Sequence, residues 1–331
     1  MIISRTPLRM SFAGGGSDIA SYYRQFGGAV VSTAINQYIY VNVNKKFDDG
    51  IRIGYSKNEE VRGVGQIEHP IVRAVLPYLG IRGGIEITTI ADIPSRGTGL
   101  GSSSAFTVGL LHALRAYQDL SSSSNELAEA ACTIEIDHCQ EPIGKQDQYA
   151  CAFGGLNLIE FARDDVVTVK PIMCSAQTVE TLQKHILVFY TGKTRSAAQV
   201  LSAQTADLAS DPKKQQTMHA MVKLAYELAA QLEQNNCAAV GEILHAGWIL
   251  KKSLVKEISS TQIDAWYASA RSAGALGGRI LGAGAGGFLM LYAPPDCHEK
   301  ITHSLSELRR VPIQFEALGS QIIFPSPLLA F

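Results

Sequence analysis

The run Pro94-Ser95-Arg96-Gly97-Thr98-Gly99-Leu100-Gly101-Ser102-Ser103-Ser104-Ala105 holds the densest set of chemically suggestive residues in the chain. Three glycines at alternate positions leave the backbone nearly bare, and three hydroxyls follow at once. Glycine permits positive φ and a close approach of main chain to a ligand. Residues 106–117 have the composition of a helix, and a helix start offers unpaired N–H groups at the positive end of its dipole. Together these features make a cradle for an anion, phosphate above all. The serines could cap the helix, touch phosphate oxygens or ligate a metal. A glycine-rich turn with a serine cap is the plainer alternative, and the density of glycine and hydroxyl argues against it.

Other residues stand out singly. Residues 125–139 have helical character, with Glu126, Glu129, Thr133 and Asp137 on one face. Glu135 falls on the opposite face, beside Ala128, Ala131, Cys132 and Cys139. A carboxylate there is costly unless it is paired or binds a cation. Oxygen ligation of Mg2+ and an internal salt bridge are equally open from spacing alone. Asp147, in Gly144-Lys145-Gln146-Asp147-Gln148-Tyr149, precedes an apolar stretch, and alone it suits surface or capping use better than catalysis. Arg9 sits on the polar face of the first strand, the usual place of a surface or ion-pair arginine. Asp18, after Gly14, Gly15, Gly16 and Ser17, is either a turn acid or a carboxylate presented to sugar hydroxyls. Thr191-Gly192-Lys193-Thr194-Arg195-Ser196 follows a strand and opens a helix, a second candidate anion site or an exposed capped turn.

The loop Gly282-Ala283-Gly284-Ala285-Gly286-Gly287 formally matches G-x-G-x-x-G. The dinucleotide fingerprint needs a helix after the glycines, and here an apolar strand follows, so that reading is rejected. The loop either shapes a site between two units or makes a tight, closely packed turn. There is no G-x-x-x-x-G-K-[ST], no H-E-x-x-H, no G-x-S-x-G and no clustered His/Cys set.

Composition narrows the field. The 331 residues suit two domains or one large one, and 46% hydrophobic with 18% charged residues supplies a sizeable core. A net charge of −1 offers no global field for nucleic acid or an anionic membrane, so phosphate binding must be local. The six cysteines include no C-x-x-C and read as buried thiols of a reduced compartment. There is no apolar signal segment at the N-terminus and no run near the ~20 residues that span a bilayer. A cytoplasmic location is expected.

The elements that must position these residues are mixed. Leu8, Met10 and Phe12 alternate with Arg9 and Ser11 as a half-buried strand, and a short helix follows over 19–25. Strands are predicted at 38–44, 51–55 and 84–90, with a turn at 48–50. Helices are predicted at 103–117, 125–139 and 144–152, then a hairpin at 156–161 and 166–170. A second unit begins near 177–184. It contains a strand at 185–190, helices at 196–209, 213–234, 238–256 and 261–273, a strand at 288–292, a helix at 296–309 and a strand at 312–316. The lack of strict βαβ alternation argues for α+β layers.

Three segments, in order, resemble the motifs of the GHMP small-molecule kinases, the superfamily of galactokinase and the homoserine, mevalonate and phosphomevalonate kinases. They are Pro7-Leu8-Arg9-Met10-Ser11-Phe12-Ala13-Gly14-Gly15-Gly16-Ser17-Asp18, Pro94 to Ala105, and Leu281 to Phe288. Phe12 to Asp18, Gly144 to Gln148 and Tyr190 to Ser196 further resemble the heptose 7-phosphate kinases and the related fucokinases. The resemblance implies an α+β fold. Residues 1–175 would form an ATP-binding domain like ribosomal protein S5 domain 2, and residues 176–331 a ferredoxin-like domain. It implies ATP and Mg2+ as cofactors. Pro94, Gly97, Thr98, Gly99, Leu100, Gly101, Ser102, Ser103 and Ser104 would wrap the nucleotide phosphates, and Ser103 and Glu135 would hold the metal. Asp147 would be the acid–base residue, oriented by Arg9. Gly15, Gly16, Ser17 and Asp18 would meet the sugar, and Gly284 and Gly286 would shape the cleft. Relatives often carry threonine where this chain has Ser17, and mevalonate kinases carry lysine in place of Arg9.

The implied reaction is phosphoryl transfer from ATP to the anomeric hydroxyl of a sugar phosphate, foremost D-glycero-D-manno-heptose 7-phosphate to the 1,7-bisphosphate. The substrate's own phosphate then needs cations. Lys193 and Arg195 are the first candidates, with Lys251 and Lys252 behind them. The alternatives are a free-sugar (L-fucose-like) kinase, an ATP-dependent decarboxylase on the same scaffold, and a sugar-binding regulator without catalysis. The partner is a small molecule, with neither nucleic acid nor membrane expected, and a homodimer is left open.

Overall fold

The computed structural model describes residues 1–93, 98–193, 208 and 210–324. Its first layer is built on two long antiparallel strands, β1 (Ile2–Ala13) and β2 (Gly28–Lys45), with helix α1 (Ala20–Phe26) between them in sequence. The alternation in β1 predicts one wet face. Instead residues 6–13 are buried on both faces, because Arg9 and Ser11 turn toward an internal cleft rather than bulk water. Strand β2 changes partner along its length. Its register against β1 slips next to Pro7, which has no N–H to give to a ladder.

Strands β3 (Ile51–Gly54) and β4 (Asn58–Val61) form a hairpin, and helix α2 (Pro70–Tyr78) leads to β5 (Ile85–Ala91). β5 inserts between β2 and β3 and runs parallel to β3, so the turn at 48–50 does not fold β3 onto β2. Helices α3 (Ser102–Tyr117), α4 (Ser124–Cys132) and α5 (Gln146–Phe153) follow, then the hairpin β6 (Leu156–Phe161) and β7 (Val167–Pro171). A capping box between Ser123 and Glu126 starts α4. The single helix predicted over 125–139 ends at Cys132 and widens into a π-helical turn, Thr133–His138.

Helix α6 (Ala176–Lys184) enters the second layer. It contains β8 (Ile186–Tyr190), α7 (Pro212–Glu233), α8 (Val240–Leu254), α9 (Thr261–Ser272), β9 (Gly277–Ile280), β10 (Phe288–Tyr292), α10 (His298–Ser304) and β11 (Arg309–Arg310). The sheet order β11-β8-β10-β9 is antiparallel throughout, the 4-1-3-2 order of a ferredoxin-like layer. Strands β8 and β10 are apolar on both faces. Val188, Phe288 and Met290 join the core shared with the first layer, while Phe189, Leu289 and Leu291 pack with Trp248 and Trp266. The helix predicted over 196–209 lies outside the described residues apart from Leu208. The chain then returns to the first sheet, where β12 (Phe315–Glu316) pairs with β2 and β13 (Gln321–Phe324) with β1. Among the described residues no helix is long and apolar enough to cross a membrane.

Candidate active site

The two glycine-rich loops explain each other. A β-carbon on Gly99 would lie 2.3 Å from Leu281 O, one on Gly282 2.4 Å from Gly99 Cα, and one on Gly287 2.3 Å from Thr98 O. The loops are therefore in backbone-to-backbone contact, a spacing that side chains would forbid. Gly99 and Gly101 also take φ of 75° and 74°, the left-handed region. Gly101 precedes α3, whose first turn has no side-chain cap. Of the roles open to Ser102, Ser103 and Ser104, side-chain capping of α3 is thus not taken. Gly101, Ser102, Ser103 and Ser104, at the start of that helix, line a cavity of ≈ 290 Å³ to which both layers contribute. Thr98 Oγ1, also lining it, is buried without a hydrogen-bond partner among the described residues.

Helix α5 organises the rest of the cavity with three successive side chains. Gln146 Nε2 donates to Asp18 Oδ1 at 3.0 Å, and its N–H to Asp18 Oδ2 at 3.2 Å. Asp147 accepts from Arg9 twice, Nε to Oδ1 and Nη2 to Oδ2, each at 2.7 Å. Gln148 Nε2 donates to Glu135 Oε2 at 2.7 Å. Successive residues of a helix point about 100° apart, so one helical turn reaches three sides of one cleft.

Arg9 is 3% exposed and Asp147 24%, so the pair is bidentate with its acid open to the cavity. Burial opposes the Arg9 charge, but attraction to Asp147 prevails and raises the guanidinium pKa. Arg9 Nη1 also donates to Gly99 O at 2.6 Å, tying the pair to the glycine loop. Glu135, on the π-helical turn, is fully buried. Burial pushes its pKa up to about 7, against hydrogen bonds from Ser103, Ser104 and Gln148. Ser103 Oγ donates to Glu135 Oε1 at 2.7 Å. Asp18 is 2% exposed and accepts from Gly16 N at 2.9 Å; burial, then repulsion from Asp147, raises its pKa.

The expected site residues divide. Arg9, Gly15, Gly16, Asp18, Thr98, Gly99, Gly101, Ser102, Ser103, Ser104, Glu135 and Asp147 line the cavity. Leu100 is buried, and its carbonyl accepts from Arg9 N at 3.0 Å. Ser17 faces away, its hydroxyl exchanging hydrogen bonds with Ala29 N and Ala29 O, each at 3.1 Å. Gly284 and Gly286 pack on the backbones of Ile258 and Lys193 and support the loop from behind. Lys193 stands over the Trp266 ring at 5.5 Å, away from the cavity, and Lys252 pairs with Asp264 at 2.8 Å. Pro94, Gly97 and Arg195 lie outside the described residues. Lys251 does line the cavity, as do Ser11, Gln146 and Arg279, which the sequence reading did not place in the site. Arg279 had a signal: it is the sole charge between Arg271 and Asp296.

Comparison with known proteins identifies the family. The family description "GHMP kinases N terminal domain" matches residues 67–155, and "GHMP kinases C terminal" matches residues 228–308. The D-glycero-alpha-D-manno-heptose 7-phosphate kinase of Campylobacter jejuni is 30% identical over 306 residues, 89% of this chain and 90% of that protein. The L-fucokinase/L-fucose-1-P guanylyltransferase of Bacteroides fragilis is 25% identical over 93% of this chain but only 36% of its own length. The crystal structure of a D-glycero-D-manno-heptose 1-phosphate kinase from Bacteroides thetaiotaomicron superposes with a TM-score of 0.79 at 26% identity, covering 98% of this chain and 99% of that one. The chain belongs to the GHMP kinase family and is a phosphotransferase with an alcohol group as acceptor.

Proposed function

We propose that the protein is an ATP-dependent sugar kinase that phosphorylates the anomeric hydroxyl of a sugar phosphate, D-glycero-D-manno-heptose 7-phosphate foremost. The observation that carries the reading is the Arg9–Asp147 pair, open to the cavity and bonded to the glycine loop. The names of the heptose kinases above support the choice of acceptor.

The main-chain N–H groups at the start of α3 would hold the nucleotide phosphates. Asp147 would accept the proton of the acceptor hydroxyl as its oxygen attacks the γ-phosphorus and the bond to ADP breaks. Arg9, donating to both of its oxygens, would hold that carboxylate in place. Most of the acceleration in such transfers comes from positioning and charge stabilisation. Asp18 retains acceptor capacity for sugar hydroxyls beyond its three N–H donors.

Ser103 and Glu135 form a hard-oxygen pair, and Glu135 is buried without a cation partner among the described residues. That donor set fits Mg2+. No group of three His, Cys, Asp or Glu converges among the described residues, so phosphates and water would complete its shell. Bound there with the nucleotide, the ion would offset the charge on the transferring phosphoryl group.

The test is ADP release measured against free and phosphorylated heptoses and hexoses. Release that depends on heptose 7-phosphate supports the reading. Turnover with free sugars alone, or none with any sugar, overturns it.

A further inference from the structure

Two cations of the cavity have no carboxylate partner among the described residues. Arg279, in β9, is 3% exposed; its Nη1 donates to Phe12 O at 3.1 Å and its Nε to Ile280 O at 3.5 Å. Lys251, in α8, is 3% exposed and donates to Gly282 O at 2.5 Å. Burial lowers both pKa values, Arg279 to about 10 and Lys251 well below its ordinary range, and neighbouring positive charge adds to the effect. Their hydrogen bonds go to main-chain carbonyls alone, and only the more distant carboxylates of Asp18 and Asp147 oppose the positive charge at Lys251. An anion would complete them.

The geometry shows where that anion fits. A methyl group built on Gly15 would meet Arg279 Nη2 at 3.6 Å, Gln146 Nε2 at 3.7 Å and Ser11 Oγ at 3.7 Å. Three polar groups thus converge on one point. Ser11 Oγ is buried and has no hydrogen-bond partner among the described residues. The point lies on the acceptor side of the cleft. On α5, Gln148 reaches the Glu135–Ser103 side, whereas Gln146 reaches Asp18 and this space.

We propose that Arg279 and Lys251, with Ser11 and Gln146, form a subsite for the phosphate ester of the acceptor and so set the preference for a phosphorylated sugar over a free one. The proposal rests on the acceptor reading above. The same donors would suit the γ-phosphate of the nucleotide, and the experiment separates the two sources.

The full-length enzyme is assayed with ATP and Mg2+ on heptose 7-phosphate and on the dephosphorylated heptose. The variants are Arg279→Gln, Lys251→Met and Gly15→Ala. Gly15 has no positive φ, and its added methyl would make only ordinary contacts, so it fills the point of convergence without strain. The kcat/KM ratio, phosphorylated over free sugar, is expected to fall roughly 10- to 150-fold for each lost charge-assisted contact. KM for ATP should shift by less than about threefold. Without turnover, inorganic phosphate should raise the melting temperature of the wild type and do so less in each variant. Lys251→Met should melt higher than wild type in the absence of ligand, since a buried uncompensated charge is gone. A raised KM for ATP with an unmoved ratio assigns the cations to the nucleotide and overturns the proposal. Equal losses on both sugars in Arg279→Gln and Lys251→Met overturn it too, and neither outcome touches the kinase reading. Should the wild type use no sugar phosphate, the functional reading fails. With the nucleotide cradle saturated by a nonhydrolysable ATP analogue, the phosphate-dependent melting shift still decides the subsite, and its survival in all three variants refutes it.

Discussion

Replacing Glu135 with glutamine should stabilise the metal-free protein at alkaline pH while destroying its response to Mg2+. Glu135 is fully buried and its pKa is raised from 4.5 to about 7, burial being the main cause. A carboxyl with a raised folded pKa holds its proton more tightly in the native state than in the unfolded chain. Between pH 4.5 and 7 the native state therefore binds the extra proton, and stability falls as pH rises through that window. Integrating the two pKa values gives a loss of about 2.5 kcal/mol between pH 5 and pH 8. Glutamine has the same shape and no charge. Its oxygen can accept from Gln148, and its amide can donate to the Ser103 hydroxyl, which also accepts. Urea unfolding of both proteins at pH 5 and pH 8, without metal, reads the difference. The Gln variant should gain about 2.5 kcal/mol over wild type on going from pH 5 to pH 8. Adding Mg2+ with a nonhydrolysable ATP analogue should then stabilise the wild type and leave the variant little changed. A pH-independent difference would refute the buried, proton-linked carboxylate. An equal metal response in both proteins would remove Glu135 from the metal site.

Three further expectations follow from the same geometry. Asp147→Asn should lower kcat by about 10²–10⁴-fold if Asp147 takes the acceptor proton; near-wild-type turnover would exclude that role. Gly99→Ala forces a β-carbon to 2.3 Å from Leu281 O at a φ of 75°, so melting temperature and nucleotide affinity by calorimetry should both fall; unchanged values would contradict the interlocked loops. Ser17→Ala removes both hydrogen bonds to Ala29 and should cost about 1–3 kcal/mol in urea unfolding; an unmoved midpoint would mean that the hydroxyl does not pin the loop.

Local chemistry made part of this molecule readable from its residues. The glycines and serines around Gly99 and Gly101 mark a main-chain cradle, because few other roles need so bare a backbone. The apolar strand after Gly287 excludes a dinucleotide loop, and β10 stands there. The helical face of Glu135 indicates burial even though the helix widens to a π turn at Thr133. What stayed hidden depends on distant parts of the chain. The first half of β2 is rich in small and polar residues, and its strand form comes from pairing with β1 and β6. Strand β9 begins with two glycines, and β12 and β13 return to a sheet laid down some 300 residues earlier in the chain (roughly a whole domain away). Arg9 follows a surface pattern in β1, but the cleft that buries it is closed by Asp147 and the glycine loop. Lys193 has the residue type for a phosphate ligand, and tertiary packing sets it over Trp266. Gly144 carries no motif signal of its own, yet a β-carbon there would lie 1.9 Å from Asp18 Oδ2.

On the proposed function, the cleft around Asp147 moves a phosphoryl group from ATP onto the anomeric oxygen of an already phosphorylated sugar. Phosphorus NMR of the product formed from ATP, Mg2+ and heptose 7-phosphate reads this directly. Two ester phosphates on one sugar are expected, the new signal coupled to the anomeric proton, with none formed by the Asp147→Asn protein over the same interval. A new phosphate coupled to another carbon, or a product signal undiminished in that variant, would contradict it.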